Sequence, residues 1–154
     1  NKREHNVVNS LYLQPDQLEA KNIERFERYA QIQANETRAE AFETEDCDVL
    51  VVAYGASSRI ARSAVMNARA QGLKVGLLRP ITLWPFPKKE LLKASKTAKD
   101  ILVVEMSMGQ MVDDVKLALE CKKPVHFFGH TGGIIPTPAE VLEQLKTIAG
   151  GAAK

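Results

Sequence analysis

The feature that most constrains the fold of this chain is a fourfold alternation of short apolar runs and helical patterns. Each run is continuous rather than alternating with polar residues, which is typical of a strand covered on both faces. This alternation predicts an α/β fold in three layers, α/β/α, with a doubly wound, mostly parallel sheet of four parallel strands and right-handed crossovers. The predicted strands are residues 49–54, 74–78, 101–105 and 125–128, and the predicted helices are residues 60–70, 88–99, 110–122 and a last one from residue 137.

The order of the strands decides where a ligand would bind such a sheet. If the parallel strands take the order 2-1-3-4, the winding reverses beside the first strand. Ligands of open α/β sheets bind at that point, outside the carboxyl ends of the strands. The expected crevice then lies between residues 55–59 and residues 105–110.

Residues 1–47 are predicted to be an extended segment and a polar connector helix, ahead of an α/β domain at residues 48–150. Between residues 16 and 40, apolar side chains recur at roughly helical spacing among many charged ones, with a break expected near Asn35. Too few of them are large for a core element, so we expect an exposed or bridging helix. The chain opens at Asn1 without a methionine, so we expect a piece of a longer polypeptide.

Charge and cysteine content exclude several classes of function. The 21 basic and 19 acidic residues leave a net charge of +2, and no basic block with interleaved aromatics is present, so nucleic acid is not an expected partner. No apolar run is long enough to cross a bilayer, so we expect a cytoplasmic protein without membrane contact. Cys47 and Cys121 lie far apart, and the histidines lack metal-ligand spacing with them, so no disulfide framework and no metal site are predicted.

A proline-rich corner at residues 79–87 follows the second predicted strand. Pro85 and Pro87 lack amide protons and restrict the residues before them, so the chain must stay extended and turn before the next helix. Trp84 and Phe86 then form part of a stiff apolar knob at the end of a strand. The sequence leaves open whether this knob belongs to the domain's own core or to an interface with another chain.

Polar residues follow the first and third predicted strands. Two serine hydroxyls and Arg59 lie where the first α/β helix begins, which suits an anion, although helix capping by Ser57 or Ser58 is favoured. Glu105 ends a buried strand, where a carboxylate must be paired or hydrogen-bonded. A structural anchor at the next helix is the favoured role for Glu105, and an ion pair with Arg59 is an alternative.

The sequence contains no complete set of catalytic groups. No second acid or histidine lies near Glu105 in the sequence, and no nucleophile motif is present, so we predict no catalytic and no cofactor-binding residue. Met106, Met108 and Met111 are predicted to fill the core rather than to form a contact surface.

Four segments, taken together and in order, resemble a known family. Residues 52–55, 76–87, 103–110 and 132–138 resemble the C-terminal part of the alpha subunit of 2-oxoacid:ferredoxin oxidoreductases of the 2-oxoisovalerate and 2-oxoglutarate type. The resemblance covers about residues 48–148 and implies the transketolase C-terminal-domain fold. That fold has a short antiparallel edge strand beside the four parallel ones, which this sequence marks poorly.

The resemblance implies a parent complex that oxidises a 2-oxoacid and forms an acyl-CoA while reducing ferredoxin. Its expected cofactors are thiamine diphosphate, Mg, iron–sulfur clusters and CoA, and its expected partners are a thiamine-binding beta subunit and a gamma subunit. Neither a diphosphate-binding motif nor a set of cluster cysteines is present here, so we expect no cofactor in this chain and no catalysis by it alone. The expected role is assembly.

The candidate interface or site-support residues are Arg59, Arg79, Trp84, Phe86, Glu105 and Gln110. The alternative function is a free-standing module that binds an anionic metabolite in the crevice between residues 55–59 and 105–110. A receiver-like signalling domain is a weaker alternative, because such a domain needs acidic residues where this chain has Tyr54, Gly55 and Ala56.

Overall fold

The structure, a computed structural model, describes residues 10–151 and divides the chain into one unit ending at Glu36 and another beginning at Thr37. The first unit contains helix α1, Pro15–Glu36, in which no residue is buried. An exposed helix is therefore present where the sequence predicts one, and its role as a connector stays a prediction. The extended segment predicted before it begins outside the described residues.

The second unit contains the sheet. Its strands are β1 (Ala39–Phe42), β2 (Val49–Ala53), β3 (Val75–Pro80), β4 (Asp100–Glu105) and β5 (Val125–Gly129), and its helices are α2 (Gly55–Ala70), α3 (Lys88–Ala94), α4 (Met111–Ala118) and α5 (Pro138–Gly151).

The strand order is β1-β3-β2-β4-β5. Strands β2 to β5 are parallel to one another, and they have the 2-1-3-4 order on which the location of the expected crevice depends. Strand β1 lies antiparallel to β3, with Ala39 opposite Pro80 and Phe42 opposite Leu77. The predicted fold class, including the short antiparallel edge strand, is confirmed.

Helix α1 ends at Glu36, so the helix predicted up to about residue 40 is wrong at its end. Residues 39 and 42 are half-buried and the two residues between them are exposed, and their backbone groups bond to β3 instead of continuing the helix. The sheet therefore includes residues that precede residue 48, where the sequence predicts the domain to start. That domain start stays a prediction.

Two apolar layers enclose the sheet. Helices α3 and α4 cover one face, where Leu50, Leu78 and Ile101 are buried. Helices α2 and α5 cover the other face over Val51, Leu77 and other residues of the sheet. Every residue of β2 is buried, as its continuous apolar run predicts.

Gly76 allows the backbone to pass close to the segment between β1 and β2. A Cβ atom at this position would lie 2.6 Å from the carbonyl oxygen of Glu43 and 3.1 Å from Cα of Thr44. A larger residue would have to move main-chain atoms, so only glycine fits this part of β3 without rearrangement.

The predicted helix starts are right in one case and wrong in another. At α5, which begins as predicted, Thr137 Oγ1 accepts from the Glu140 amide at 3.2 Å, and the Glu140 carboxylate accepts from the Thr137 amide at 2.7 Å, so the two residues form a capping box. At α2, the predicted serine cap is wrong. Because the helix already begins at Gly55, Ser58 lies inside its first turn, where its hydroxyl donates to the Gly55 carbonyl at 2.7 Å.

Candidate functional site

The proline-rich corner after β3 divides its aromatic side chains between core and surface. Phe86 is half-buried and packs against the core beneath α3 and α4. Trp84 is 55% exposed and Leu83 is 43% exposed. The corner is held by Thr82, whose hydroxyl accepts from the Arg38 amide at 3.0 Å and donates to the Pro85 carbonyl at 3.0 Å. The same fixed turn therefore anchors Phe86 inside and presents Trp84 outside.

Glu105 lies at the end of β4 and is completely buried. Its Oε1 accepts from the Val112 amide at 3.0 Å, and its Oε2 accepts from the amides of Met111 at 3.0 Å and Gln110 at 3.2 Å. The Ser107 hydroxyl also donates to Oε2, at 3.1 Å. These amides belong to the start of α4, which has no side-chain cap of its own, so Glu105 serves as the anchor of that helix.

An ion pair between Arg59 and Glu105 is not formed, because the carboxylate is enclosed by its own loop and helix. Gln110, the other predicted residue of this loop, has an exposed side chain and contributes its backbone amide to Glu105. The crevice predicted to bind an anion, between residues 55–59 and 105–110, would therefore have a buried carboxylate on one side.

The loops after β4 and β5 expose a second group of apolar side chains. Met108 is 84% exposed, whereas Met111 is buried at the start of α4. The prediction that the three methionines fill the core is therefore right for Met111 and wrong for the other two, which lie in the loop before the helix. The exposed members of this group are Met106, Met108, Ile134 and Ile135, and Phe127 inside β5 is also 40% exposed.

Arg59 and Arg79 lie in the same pocket near the start of α2. They line a small open pocket of about 40 Å³ between α2, β1 and β3. Glu40 lies opposite Arg79 in the β1–β3 pairing and accepts from its Nη1 at 3.3 Å. The other carboxylate oxygen of Glu40 accepts from Arg62 Nη1 at 3.0 Å. Sequence reasoning missed Glu40 and Arg62 because their roles depend on the edge strand, although Arg62 follows Arg59 at the helical spacing of three.

The arginines on this side of α2 continue beyond the pocket. The Arg62 guanidinium lies over the Phe42 ring at 4.2 Å, a cation–π contact. Arg69 donates from Nε to the Val75 carbonyl at 2.7 Å and from Nη2 to Asp46 at 2.6 Å. This hydrogen bond holds the pKa of Asp46 below its ordinary value. Helix α2 thus attaches the edge strand and the following loop to the sheet through its arginines.

The described part of the chain offers no cluster of three or more His, Cys, Asp or Glu residues that could hold a metal ion. None of the helices within residues 10–151 combines the length and apolar character needed to cross a membrane.

Comparison with known proteins identifies relatives of the whole α/β unit. Residues 47–141 match the family model described as pyruvate:ferredoxin oxidoreductase core domain II. The chain is 43% identical over 145 residues to the ketoisovalerate oxidoreductase subunit VorB of Methanothermobacter marburgensis, covering 94% of this chain and 41% of the relative. The chain thus spans about two-fifths of the length of this curated relative.

Two solved structures share the fold. One is a 2-oxoglutarate:ferredoxin oxidoreductase from Magnetococcus marinus with 2-oxoglutarate, coenzyme A and succinyl-CoA bound, with a TM-score of 0.72, 22% identity, and coverage of 88% of this chain and 24% of that one. The other is a split-gene transketolase in an inactive beta4 tetramer, with a TM-score of 0.61, 20% identity, and coverage of 71% and 40%. The match of the family model to more than half of the chain, with the VorB identity, shows that this chain belongs to the core domain II family of the 2-oxoacid:ferredoxin oxidoreductases.

Proposed function

We propose that this chain is the subunit-contact domain of the alpha subunit of a thiamine-diphosphate-dependent 2-oxoacid:ferredoxin oxidoreductase. The parent complex would convert a 2-oxoacid, 2-oxoisovalerate or 2-oxoglutarate, and CoA into an acyl-CoA and CO₂, with ferredoxin as the electron acceptor. The 43% identity to the ketoisovalerate subunit over 94% of this chain supports this proposal. A cytoplasmic location stays a prediction from the sequence.

The observation that carries the contact role is the outward presentation of Trp84 on a corner whose other aromatic, Phe86, is anchored in the core. Tryptophan at a fixed, partly exposed position is typical of the residues that dominate protein interfaces. Covering the exposed half of a side chain that hides up to about 250 Å² when buried would stabilise a complex by about 3 kcal/mol before entropy costs. A thiamine-binding beta subunit and a gamma subunit are the proposed partners.

The described residues do not fit thiamine diphosphate or its Mg ion. The only carboxylate among them that is fully buried, Glu105, is already saturated by the backbone of α4. We therefore place thiamine diphosphate and the iron–sulfur clusters on other parts of the complex, and we route no chemical step through this chain.

Binding of Trp84 variants to the companion subunits, measured beside their melting temperatures, tests the contact role. Trp84→Ala should weaken binding by about tenfold or more, because truncating an interface hot spot costs 2 kcal/mol or more. Its melting temperature should change little, because the side chain is exposed in the isolated chain. Leu117→Ala is the matched control, since Leu117 is a large apolar residue that is 75% exposed on α4.

Two results would contradict the proposal. One is unchanged binding of the Trp84→Ala variant to the companion subunits. The other is a loss of binding that only accompanies a large fall in melting temperature, which would make Trp84 a core residue.

A further inference from the structure

The pocket between α2, β1 and β3 concentrates positive charge that the described residues do not balance. It is lined by three arginines and a single carboxylate, so its charged side chains sum to +2. Glu40 is shared between Arg62 and Arg79, and within residues 10–151 no carboxylate pairs with Arg59. The seven lining residues are Glu40, Phe42, Ser58, Arg59, Arg62, Leu77 and Arg79.

Hydrogen-bond donors are also in excess. Arg79 uses one nitrogen for Glu40, and its Nε is buried without an acceptor. A buried donor without a partner is unfavourable, so an acceptor supplied by a ligand would be favoured. Each guanidinium carries five N–H groups in a planar fork, and most of those in this pocket have no protein acceptor.

We propose that this pocket binds the phosphate group of a small phosphorylated molecule. Arginine forks match the oxygens of phosphate with paired hydrogen bonds, and two or three of them can share one dianion. The start of α2 adds the positive end of a helix dipole beside the arginines. The apolar floor of Phe42 and Leu77 excludes water on one side, which strengthens the electrostatic attraction.

The size of the pocket limits what it can hold. Its cavity volume is about 40 Å³, and the pocket is open to solvent. Pockets that enclose a whole small molecule are usually about 300–1,000 Å³ and largely closed. The pocket therefore holds one anionic group, and the rest of the molecule extends into solvent or toward a neighbouring protein.

The arginines are already in place for such a ligand. Arg62 is fixed by Phe42 and Glu40, and Arg79 lies on a strand of the sheet. A cationic ligand would be repelled by the net positive charge of the lining, and a neutral ligand would gain hydrogen bonds without the attraction between opposite charges. This inference goes beyond the proposed function and does not rest on it, because it concerns a pocket that lies entirely within this chain.

Isothermal titration of the 154-residue chain with inorganic phosphate and with glycerol phosphate, at constant ionic strength, tests the proposal. We expect saturable binding with one site per chain, and a rise in melting temperature with phosphate concentration. Arg59→Gln should weaken phosphate binding by about tenfold or more, which is the usual effect of losing a hydrogen bond between charged groups. Glycerol phosphate separates a site for phosphomonoesters from one that takes only the free ion.

The matched control is Arg25→Gln, which makes the same change of charge on α1. Arg25 is exposed, and no ion pair is described for it, so this variant should bind phosphate as the unchanged chain does. Arg59→Lys keeps the charge but not the fork, and it should bind more weakly than the unchanged chain. The melting temperature of Arg59→Gln without phosphate should be unchanged, which excludes unfolding as the cause.

Three outcomes would overturn the proposal. Binding without saturation would indicate an adventitious ion only. An equal loss of affinity in Arg25→Gln and Arg59→Gln would show that only net charge matters. Tighter binding of succinate than of phosphate would assign the pocket to carboxylates, such as acidic side chains of a partner protein.

Discussion

Replacement of Glu105 by alanine would remove the acceptor for three backbone amides at the start of α4. The amides of Met111 and Val112 are bonded to it in a buried environment, so water could not replace the carboxylate there. A stranded buried donor costs about 1–3 kcal/mol, so these two amides alone account for about 2–6 kcal/mol. The third amide belongs to Gln110, whose exposed position allows partial rehydration.

One effect works against this loss. Burial of a carboxylate carries a desolvation cost, and alanine removes that cost together with the hydrogen bonds. We therefore expect the free energy of unfolding of Glu105→Ala to fall by about 3 kcal/mol, near the lower half of the range. Glu105→Gln retains one acceptor oxygen but directs an amide donor at the backbone donors, so an intermediate loss of about 1–2 kcal/mol is expected.

Urea denaturation followed by circular dichroism measures these differences. A chain of this size has a denaturant slope of about 2 kcal/mol per M, so Glu105→Ala should lower the urea midpoint by about 1.5 M. Asp114→Ala is the matched control, because Asp114 is an exposed carboxylate in the first turn of the same helix. Its loss should stay below about 1 kcal/mol.

The anchor role of Glu105 would be refuted if Glu105→Ala and Asp114→Ala lowered the urea midpoint equally. It would also be refuted if Glu105→Gln were as stable as the unchanged chain, since an amide cannot accept all of these bonds. Should Glu105→Ala not fold, the comparison of Glu105→Gln with the control still decides the question.

Three further predictions concern the rest of the α/β unit. Gly76→Ala should lower the free energy of unfolding by about 1–3 kcal/mol in urea titrations, because its Cβ would meet a backbone carbonyl at 2.6 Å. In the native chain a thiol reagent should modify exposed Cys121 quickly and leave Cys47 intact until denaturant is added, because Cys47 is buried and burial raises the pKa of its thiol. The Thr137 hydroxyl, followed by its amide, lowers the pKa of Glu140, so this group stabilises the fold above the ordinary glutamate pKa and ceases to do so as the pH falls through the lowered value. Thr137→Val should therefore lose less melting temperature on acidification than the unchanged chain does.

Each of these has a result that contradicts it. Gly150→Ala is the control for Gly76→Ala, since nothing lies within 4 Å of a Cβ at that position, and equal effects of the two would dismiss the close approach. Simultaneous modification of both thiols in the native chain would contradict the burial of Cys47. Parallel acid melting curves of Thr137→Val and the unchanged chain would mean that the capping box does not act through Glu140.

The parallel part of the fold could be predicted because its signal is local. Each buried strand, such as β2, is a continuous apolar run, and each covering helix has one apolar face, so both can be identified within a few residues. The edge strand β1 could not be predicted from the residues in this way. Its four residues have mixed exposure and no long apolar run, and they become a strand only because β3 offers an unpaired edge. Only the family resemblance implied it.

The candidate site follows the same division. The anchor role of Glu105 could be expected, because an acid that ends a buried strand needs donors and the next helix start supplies them. The pocket around Arg79 could not, because it depends on Glu40, which reaches Arg79 through the β1–β3 pairing. The sequence also leaves open whether Trp84 points inward or outward, because residues in a corner do not alternate between two faces as strand residues do. The position of the following helix determines which side chain of the corner is buried.

The charged side chains at the carboxyl ends of β4 and β3 differ in how fully the protein's own groups pair with them. This difference decides where an anion can bind. At the end of β4, the single negative charge of Glu105 is surrounded by donors of its own chain, so an approaching anion would meet a buried like charge. At the end of β3, Arg79 shares one carboxylate with Arg62, while Arg59 has no ion-pair partner within residues 10–151. A negative group would gain hydrogen bonds there without breaking any. The predicted crevice at the switch point therefore holds a negative charge that disfavours an anion, whereas the charged side chains that line the arginine pocket sum to +2.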